Sequence, residues 1–406
     1  MTASAIGPQT PISPNDIPAE AVGCLTIDLD ALAENYRTLQ LAAPDALVAG
    51  VIKANGYGLG LEPVAVALAE AGCTQFFVAD LDEGRRLRAV LPEAIIYILD
   101  GLFPGTQALF AQHRLRPCLS SLDEAGEWAD FCRTQGPLPA ALHIDTGMNR
   151  RGLSAGEAAE LARDPAIWEA FDPSLMMSHL ACADTPSHGM NRRQLDRFRR
   201  HLEGLPQTAA SLCNTAGVFL GPEYHFDVIR AGIGLFGGTP FADRDHPFLP
   251  VAYLDGRIMQ VRDIGPGDPV GYGADYVAPS PRRLAVISVG YGDGYFRALG
   301  SSAGKPGGVV AIGGHKAPVV GRVSMDMIAA DVTDVPSSAV RRGGVAELLG
   351  RHVTVNDLAR AAGTIAYEIL TNLGDRPVRR YTSGDRISQS PILPGGTGGD
   401  GRRGGS

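Results

Sequence analysis

No CxxC pair and no metal-ligand spacing joins the six cysteines, Cys24, Cys73, Cys118, Cys132, Cys182 and Cys213. They fall mostly in apolar runs, the pattern of reduced core thiols in a reducing compartment. No Lys/Arg block interrupts a chain of net charge −8, which argues against nucleic acid as a partner. No uninterrupted apolar run is long enough to cross a bilayer. The first twenty or so residues are rich in Pro, Ala and Ser; without a basic start and an apolar centre they do not read as a signal peptide. A cytoplasmic protein without membrane contact is therefore expected. No GxGxxG follows an early strand, and nothing repeats at solenoid spacing. The two ends, residues 1–22 and 385–406, read as disordered; the second closes on GGTGGDGRRGGS.

What is present is a long alternation of strand-like and helix-like segments. The chain has 406 residues, 45% of them hydrophobic, enough for one large domain and a smaller one. After a short strand at Thr26–Leu29, Asp30 is placed to cap a helix with Leu32, Tyr36 and Leu39 on one face. Strands then follow at Leu47–Lys53, Gln75–Ala79, Ala94–Leu99, Arg116–Ser120, Ala140–Asp145, Leu175–His179, Ala209–Cys213 and Asp227–Arg230. Helical patterns at Leu61–Ala71, Leu81–Leu91, Leu122–Thr134 and Met190–Leu202 separate many of them. Eight such units predict a (β/α)₈ TIM-like barrel over residues 23–250. From 251 to 384 short apolar runs alternate with turn signals, which predicts a mainly-β domain. Its expected strands are Arg257–Ile264, Leu284–Gly290, Val309–Ile312, Pro318–Met327 and Val378–Tyr381. A helix at Ile365–Leu373 is expected to be capped by Thr364.

A barrel keeps its chemistry at the carboxyl ends of its strands. Lys53 follows the first, Asp145 to Arg150 the fifth, and His179 the sixth. Asn214 and Thr215 follow the seventh, and Arg230 ends the eighth. A lysine among apolar walls loses its proton more readily and becomes a nucleophile toward carbonyls. The GlyIleGlyLeuPheGlyGly run at 232–238 supplies bare backbone N–H groups where barrels commonly hold phosphate. In the second half, GYGDGY (290–295) and GRVSMDM (321–327) stand out as polar knots between strands. Each of these features alone also fits a bland reading, such as a capping lysine, tight turns or packed aromatics.

Eight stretches stand together in one order: VIKANGYGLG, HIDTGMNRRG, SHLACAD, CNTAG, IRAGIGLFG, GYGDGY, GRVSMDM and AYEIL. In that order, from about Leu25 to Tyr381, they resemble the alanine racemases. The resemblance implies a pyridoxal 5'-phosphate enzyme that interconverts L- and D-alanine, and a homodimer with active sites shared between subunits. Lys53 would bind the cofactor and act as one base. Tyr291, reaching in from the partner subunit, would act as the other, on the opposite face of the substrate. Arg230 would lie against the pyridine nitrogen; having donors only, it would leave that nitrogen unprotonated. Tyr57, Tyr367, Thr215 and the backbone at Gly232 and Ile233 would hold the phosphate, with Asn214 beside them. His179 would lie beside the cofactor. Arg150 would contact the cofactor and the substrate carboxylate. Met325 would offer its backbone N–H to that carboxylate, and Asp326 would line the entrance.

The chain departs from the family pattern in places. His143 stands where many members carry a carbamylated lysine, so Arg150 needs another restraint: Asp145, water or an anion. Leu59 replaces a common histidine, Leu235–Gly237 a stretch often centred on tyrosine, and Arg151 a usual apolar residue. Two other functions stay in view. One is a serine or broad-spectrum racemase. The other is a non-catalytic pyridoxal-phosphate carrier, against which GYGDGY and SMDM argue.

Overall fold

The computed structural model describes residues 17, 18, 20–205, 207–241, 246–302, 304–384 and 386–389. One sheet has eight strands, all parallel: Leu47–Val51, Gln75–Val78, Ile95–Ile98, Arg116–Leu119, Pro139–His143, Asp172–Met177, Ala210–Ser211 and Val228–Ala231. The first strand pairs with the eighth, from Leu47 opposite Val228 to Gly50 opposite Ala231. The seventh is only two residues long. Backbone bonds from Asp227 N to Ala210 O and from Arg230 N to Cys213 O, both 3.0 Å, carry the ring across the remaining seam. The barrel expected from the sequence is therefore present. Apart from their ends its strands are buried, as a parallel sheet covered by helices requires.

The outer helices begin on side-chain caps. Asp80, Ser121 and Ser154 each accept from a backbone N–H in the first turn of the helix that follows. The first helix, Leu29–Ala42, is capped by Asp28 and not by Asp30: Ala31 N donates to Asp28 Oδ1 at 2.9 Å. Asp30 instead accepts from Gly384 N at 2.6 Å and Ser383 Oγ at 3.1 Å. Leu32, Tyr36 and Leu39 are buried on one face, as their spacing predicts.

The second sheet has nine strands and is mainly antiparallel. Its centre is the long strand Ala252–Ile264, which pairs with Gly23–Asp28, Val345–Leu349 and Arg282–Ile287. Pairing irregularities after Leu254 and Ile258 let one strand serve three neighbours. The pairing with Arg282–Ile287 closes six strands into a second ring. The opening strand, Gly23–Asp28, precedes the barrel in the chain but lies in this sheet, between Ala252–Ile264 and Val378–Ser383. Pro318–Met327 is not one strand: His315–Val320 is extended, and 321–327 forms a turn before Ile328–Asp331. The late helix runs from Ala366 to Thr371 with Ile365 at its N-cap, and the Thr364 hydroxyl bonds the Glu368 carboxylate instead of a backbone N–H.

Residues 1–16 and 390–406 lie outside the described residues, so the disorder expected there is not addressed. Ile17 and Ala21, at the inner end of the leading segment, are buried against Cys24. The Arg257 guanidinium binds the Ile17 and Pro18 carbonyls and holds the segment on the sheet. No helix among the described residues is long and apolar enough to cross a membrane.

The C-terminal segment 366–381 packs on the turn that carries Lys53. Arg379 Nη1 donates to Gly58 O at 2.6 Å, and Tyr381 Oη donates to Leu59 O at 3.0 Å. At Gly58 a Cβ would lie 2.3 Å from Leu370 O. The φ there is +81°, so glycine is demanded both by the backbone and by the close approach.

Candidate active site

Lys53 lies two residues past the first barrel strand, at the start of a left-handed turn. Ala54, Asn55, Gly56 and Tyr57 have φ of 53°, 55°, 63° and 54°. Left-handed geometry costs an ordinary L-residue about 1–2 kcal/mol, and such cost concentrates at functional sites. The turn is held by Gly56 N to Ile52 O at 2.9 Å and Gly58 N to Ala54 O at 2.8 Å. Further bonds come from outside it. Asn55 N donates to Glu83 Oε1 at 2.7 Å, while Asn55 Oδ1 accepts from Leu61 N at 3.1 Å and Arg86 Nη2 at 3.0 Å. Lys53 reaches solvent, yet packing around it desolvates the ammonium. That burial, then the Arg150 charge, pushes the amine below its ordinary range; Asp100 and Glu83 pull the other way.

Next to the lysine turn is a cradle of donors. The Tyr57 ring stacks on Phe236, with centroids 4.4 Å apart, and lies 6.0 Å from the Tyr367 ring. A Cβ on Gly232 would sit 2.4 Å from the Tyr57 hydroxyl, so the cradle exists only because position 232 is glycine. Gly232 N donates to Thr215 Oγ1 at 2.9 Å, which leaves the hydroxyl's own hydrogen to donate elsewhere. Burial raises both phenols, Tyr367 to about 12 and Tyr57 further. They are therefore neutral donors. Ile233 opens the short helical turn Ile233–Phe236. Asn214 Oδ1 accepts from Gly217 N at 3.0 Å and closes the loop after the seventh strand.

Arg230 is buried on the neighbouring strand. Its Nη1 donates to Ser211 O at 3.0 Å and Ser211 Oγ at 2.6 Å; its Nη2 donates to Ser178 O at 2.5 Å and His179 Nδ1 at 3.0 Å. Among the described residues no carboxylate pairs with it. Burial lowers its pKa to about 10, so it is still a cation at neutral pH. An arginine only donates, so His179 Nδ1 must accept, which assigns the ring proton to Nε2. Burial, then the charge of Arg230, holds His179 well below its ordinary value, so the ring is neutral.

His143 is likewise pushed down, to about 3, by burial and by the charges of Arg230, Arg151 and Arg150. It supplies no anion. Arg150 is exposed and makes no hydrogen bond or ion pair among the described residues. Asp145, one expected restraint, is committed elsewhere: its Oδ1 accepts from Gly147 N at 2.7 Å and Met148 N at 2.9 Å. Arg151 pairs with Glu124 at 2.8 Å and donates to Ser120 Oγ at 2.8 Å, which accounts for a charge at a position usually apolar.

Tyr291, Met325 and Asp326 form a separate group on the β domain. Tyr291 N donates to Ser324 O at 3.0 Å and Gly292 N to Met325 O at 2.9 Å, so the two polar knots are bound to each other. Arg376 clamps them. It donates to both oxygens of buried Asp293, at 2.8 and 2.9 Å, to Asp326 Oδ1 at 2.6 Å and to Met325 O at 3.2 Å. Tyr291 and Met325 are 43% and 54% exposed, and no hydrogen bond or ring contact joins Tyr291 to the barrel mouth among the described residues. Sequence reading missed Glu83, Asn55 and Arg376. Only a carboxylate just after the second strand hinted at the first.

The residues fit a phosphate-bearing pyridine cofactor. Two neutral phenols, a threonine hydroxyl and a glycine that leaves room are groups that could seat a phosphate. A buried cation without a carboxylate suits an unprotonated ring nitrogen, and a deprotonation-prone lysine can form a covalent bond to a carbonyl carbon.

Comparison with known proteins agrees over nearly the whole chain. Residues 27–240 match the family model "Alanine racemase, N-terminal domain", and 251–381 match "Alanine racemase, C-terminal domain". The alanine racemase of Methylobacterium nodulans is 47% identical over 365 residues, covering 90% of this chain and 97% of its own. The biosynthetic alanine racemase of Agrobacterium fabrum is 46% identical over 367 residues, 89% of this chain and 94% of its own. Among solved structures, alanine racemase from Bartonella henselae with covalently bound pyridoxal phosphate superposes with a TM-score of 0.84. It is 38% identical, over 89% of this chain and all of that one. The biosynthetic enzyme of Pseudomonas aeruginosa has a TM-score of 0.81 at 34% identity, over 89% of this chain and all of its own. On its sequence, its two matched domains and its fold, the chain belongs to the alanine racemase family.

Proposed function

We propose that the protein is an isomerase that interconverts L- and D-alanine with pyridoxal 5'-phosphate, using Lys53 and the partner subunit's Tyr291 as its two bases. The observation that carries this reading is the lysine turn set beside the donor cradle, with uncompensated Arg230 on the neighbouring strand. Removing a Cα proton needs more than a base: general acid–base catalysis gives roughly 3–5 kcal/mol of the roughly 8–23 kcal/mol that enzymes supply. Pyridoxal phosphate, when bound, supplies the rest as an electron sink.

The chain's own residues do the remaining work. Lys53 anchors the cofactor and, once free, holds or releases a proton on one side of the substrate carbon. Tyr57, Tyr367, Thr215 and the Gly232–Ile233 backbone bind the phosphate, with Asn214 shaping their loop. Arg230 donates toward the ring nitrogen and keeps a proton off it, and neutral His179 braces Arg230. Arg150 and the Met325 N–H bind the substrate carboxylate, and Asp326 lines the way in. Tyr291 moves a proton on the other side.

That Tyr291 and Met325 are exposed, with no hydrogen bond or ring contact joining Tyr291 to the barrel mouth among the described residues, supports a homodimer in which each copy supplies them to the other. The test is a panel of alanine, serine, lysine and arginine offered to pure protein with saturating pyridoxal phosphate. Alanine should racemise fastest. Faster turnover of serine or a basic amino acid points to the alternative specificity, and no racemisation of any overturns the reading.

A further inference from the structure

The lysine turn has one anchor that the reaction itself does not explain. Asn55 N–H has no acceptor within its own turn, and Glu83 supplies one. Glu83 lies in the first turn of the helix Leu81–Val90, just after the second barrel strand, and is 7% exposed. Its other oxygen, Oε2, accepts from Ala79 N at 2.9 Å. One carboxylate thus ties the lysine turn to the end of the adjacent strand. Both oxygens accept, which is the pattern of an ionised carboxylate. Among the described residues no lysine, arginine or histidine forms a salt bridge with Glu83. A negative charge is therefore fixed next to the lysine turn, oriented by backbone amides alone.

The surroundings sharpen this. Arg86, three residues further along the same helix, holds the Asn55 side chain at 3.0 Å and is itself held by Glu62 at 2.8 and 3.0 Å. Arg86 therefore braces the turn from its other side, while its charge is spent on Glu62. The charged and titratable groups that act on Lys53 are Arg150 after the fifth strand, Asp100 after the third, His179 at the sixth, and Glu83. Of the two carboxylates, Glu83 alone is bonded to the turn that bears the amine.

We propose that Glu83 is a positioning residue for Lys53: it fixes the left-handed turn through the Asn55 amide and holds a carboxylate beside the turn that bears the amine. The proposal rests on Lys53 being the cofactor lysine. A purely structural glutamate would support only the turn.

The test compares the wild-type holoenzyme with Glu83→Gln and Glu83→Asp. Gln is nearly isosteric but brings no charge and only one acceptor for two N–H donors. Glu83→Gln should lower kcat roughly ten- to hundredfold, the size expected from losing a hydrogen bond to a charged group, with KM little changed. The pH midpoint of the lysine-bound cofactor's visible absorbance should move down, because a favourable negative charge is gone. Glu83→Asp should bring that midpoint back toward the wild type while kcat stays low, since the shorter chain cannot reach both amides. A Glu83→Gln enzyme that melts earlier but keeps both kcat and the midpoint overturns the proposal. Hydrogen exchange of the wild type gives an answer that needs no variant to fold. The Asn55 amide, on an exposed residue, should exchange slowly, and exchange at the rate of a free loop overturns the proposal. If the wild type racemises nothing, the functional reading fails, while the exchange and absorbance results still judge Glu83.

Discussion

Adding a single methyl group at Gly232 should evict the cofactor through Tyr57. The new Cβ would lie 2.4 Å from the Tyr57 hydroxyl oxygen and 3.3 Å from the ring carbon that bears it. Tyr57 has little room to yield, being buried and stacked on Phe236 at 4.4 Å. Overpacking of this kind costs about 1–3 kcal/mol, which is roughly a 5- to 150-fold rise in the cofactor's dissociation constant. Tyr57→Phe alone would remove the hydrogen bond proposed from Tyr57 to the phosphate, about 1 kcal/mol. In the double variant the colliding oxygen is gone, and the remaining 3.3 Å contact can relax by a few tenths of an ångström. Gly232→Ala with Tyr57→Phe should therefore bind pyridoxal phosphate about as well as Tyr57→Phe alone. The singles would be non-additive by about 1–3 kcal/mol, the whole cost of Gly232→Ala and outside the scatter of independent sites. Fluorescence titration of apoprotein with the cofactor reads all three constants. Additive losses, or unimpaired binding by Gly232→Ala, would refute the reasoning.

Arg376→Lys replaces a forked donor with a point charge that cannot bridge Asp293, Asp326 and the Met325 carbonyl together. Its kcat should fall roughly tenfold or more while the absorbance of bound cofactor stays unchanged; a loss of cofactor instead would contradict the division into two groups. Asp255, buried opposite Glu347 across the sheet, is pushed by burial from 3.8 to about 7. Between these values the folded chain holds a proton that the unfolded chain has lost, so this group's stabilisation is complete below about pH 4, declines as pH rises, and is gone above about pH 7. The gap of about three pH units corresponds to roughly 4 kcal/mol. Asp255→Asn should therefore flatten the fall in melting temperature from pH 4 to 8 and melt higher than wild type at pH 8; an unchanged slope would contradict the assignment.

The barrel was legible because its strands and helices are written locally, in apolar runs and helical spacing; the caps were not, since Asp28 and Ile365 stand where Asp30 and Thr364 are expected. The mouth residues were legible for the same reason: Lys53, His179 and Arg230 stand at strand ends that the periodicity marks. What escaped the sequence is non-local. Nothing within Gly23–Asp28 says that its partners lie at Ala252–Ile264 and Val378–Ser383, more than two hundred residues on. Val345–Leu349 is a strand although VAELL by itself suits a helix equally well. Pro318 sits inside an extended run, but the following Gly321, at φ +73°, ends it. Glu83 and Arg376 are invisible for a related reason: each serves a turn through contacts 28 and 83 residues distant in sequence.

The most direct test of the two-base account follows Cα hydrogen exchange in D₂O, starting separately from L- and from D-alanine. The wild type should wash deuterium into both. Tyr291→Phe, with its cofactor still bound, should lose exchange from one enantiomer far more than from the other, because Lys53 still serves its own side. Equal exchange from both enantiomers, or an undiminished rate of racemisation, would contradict it.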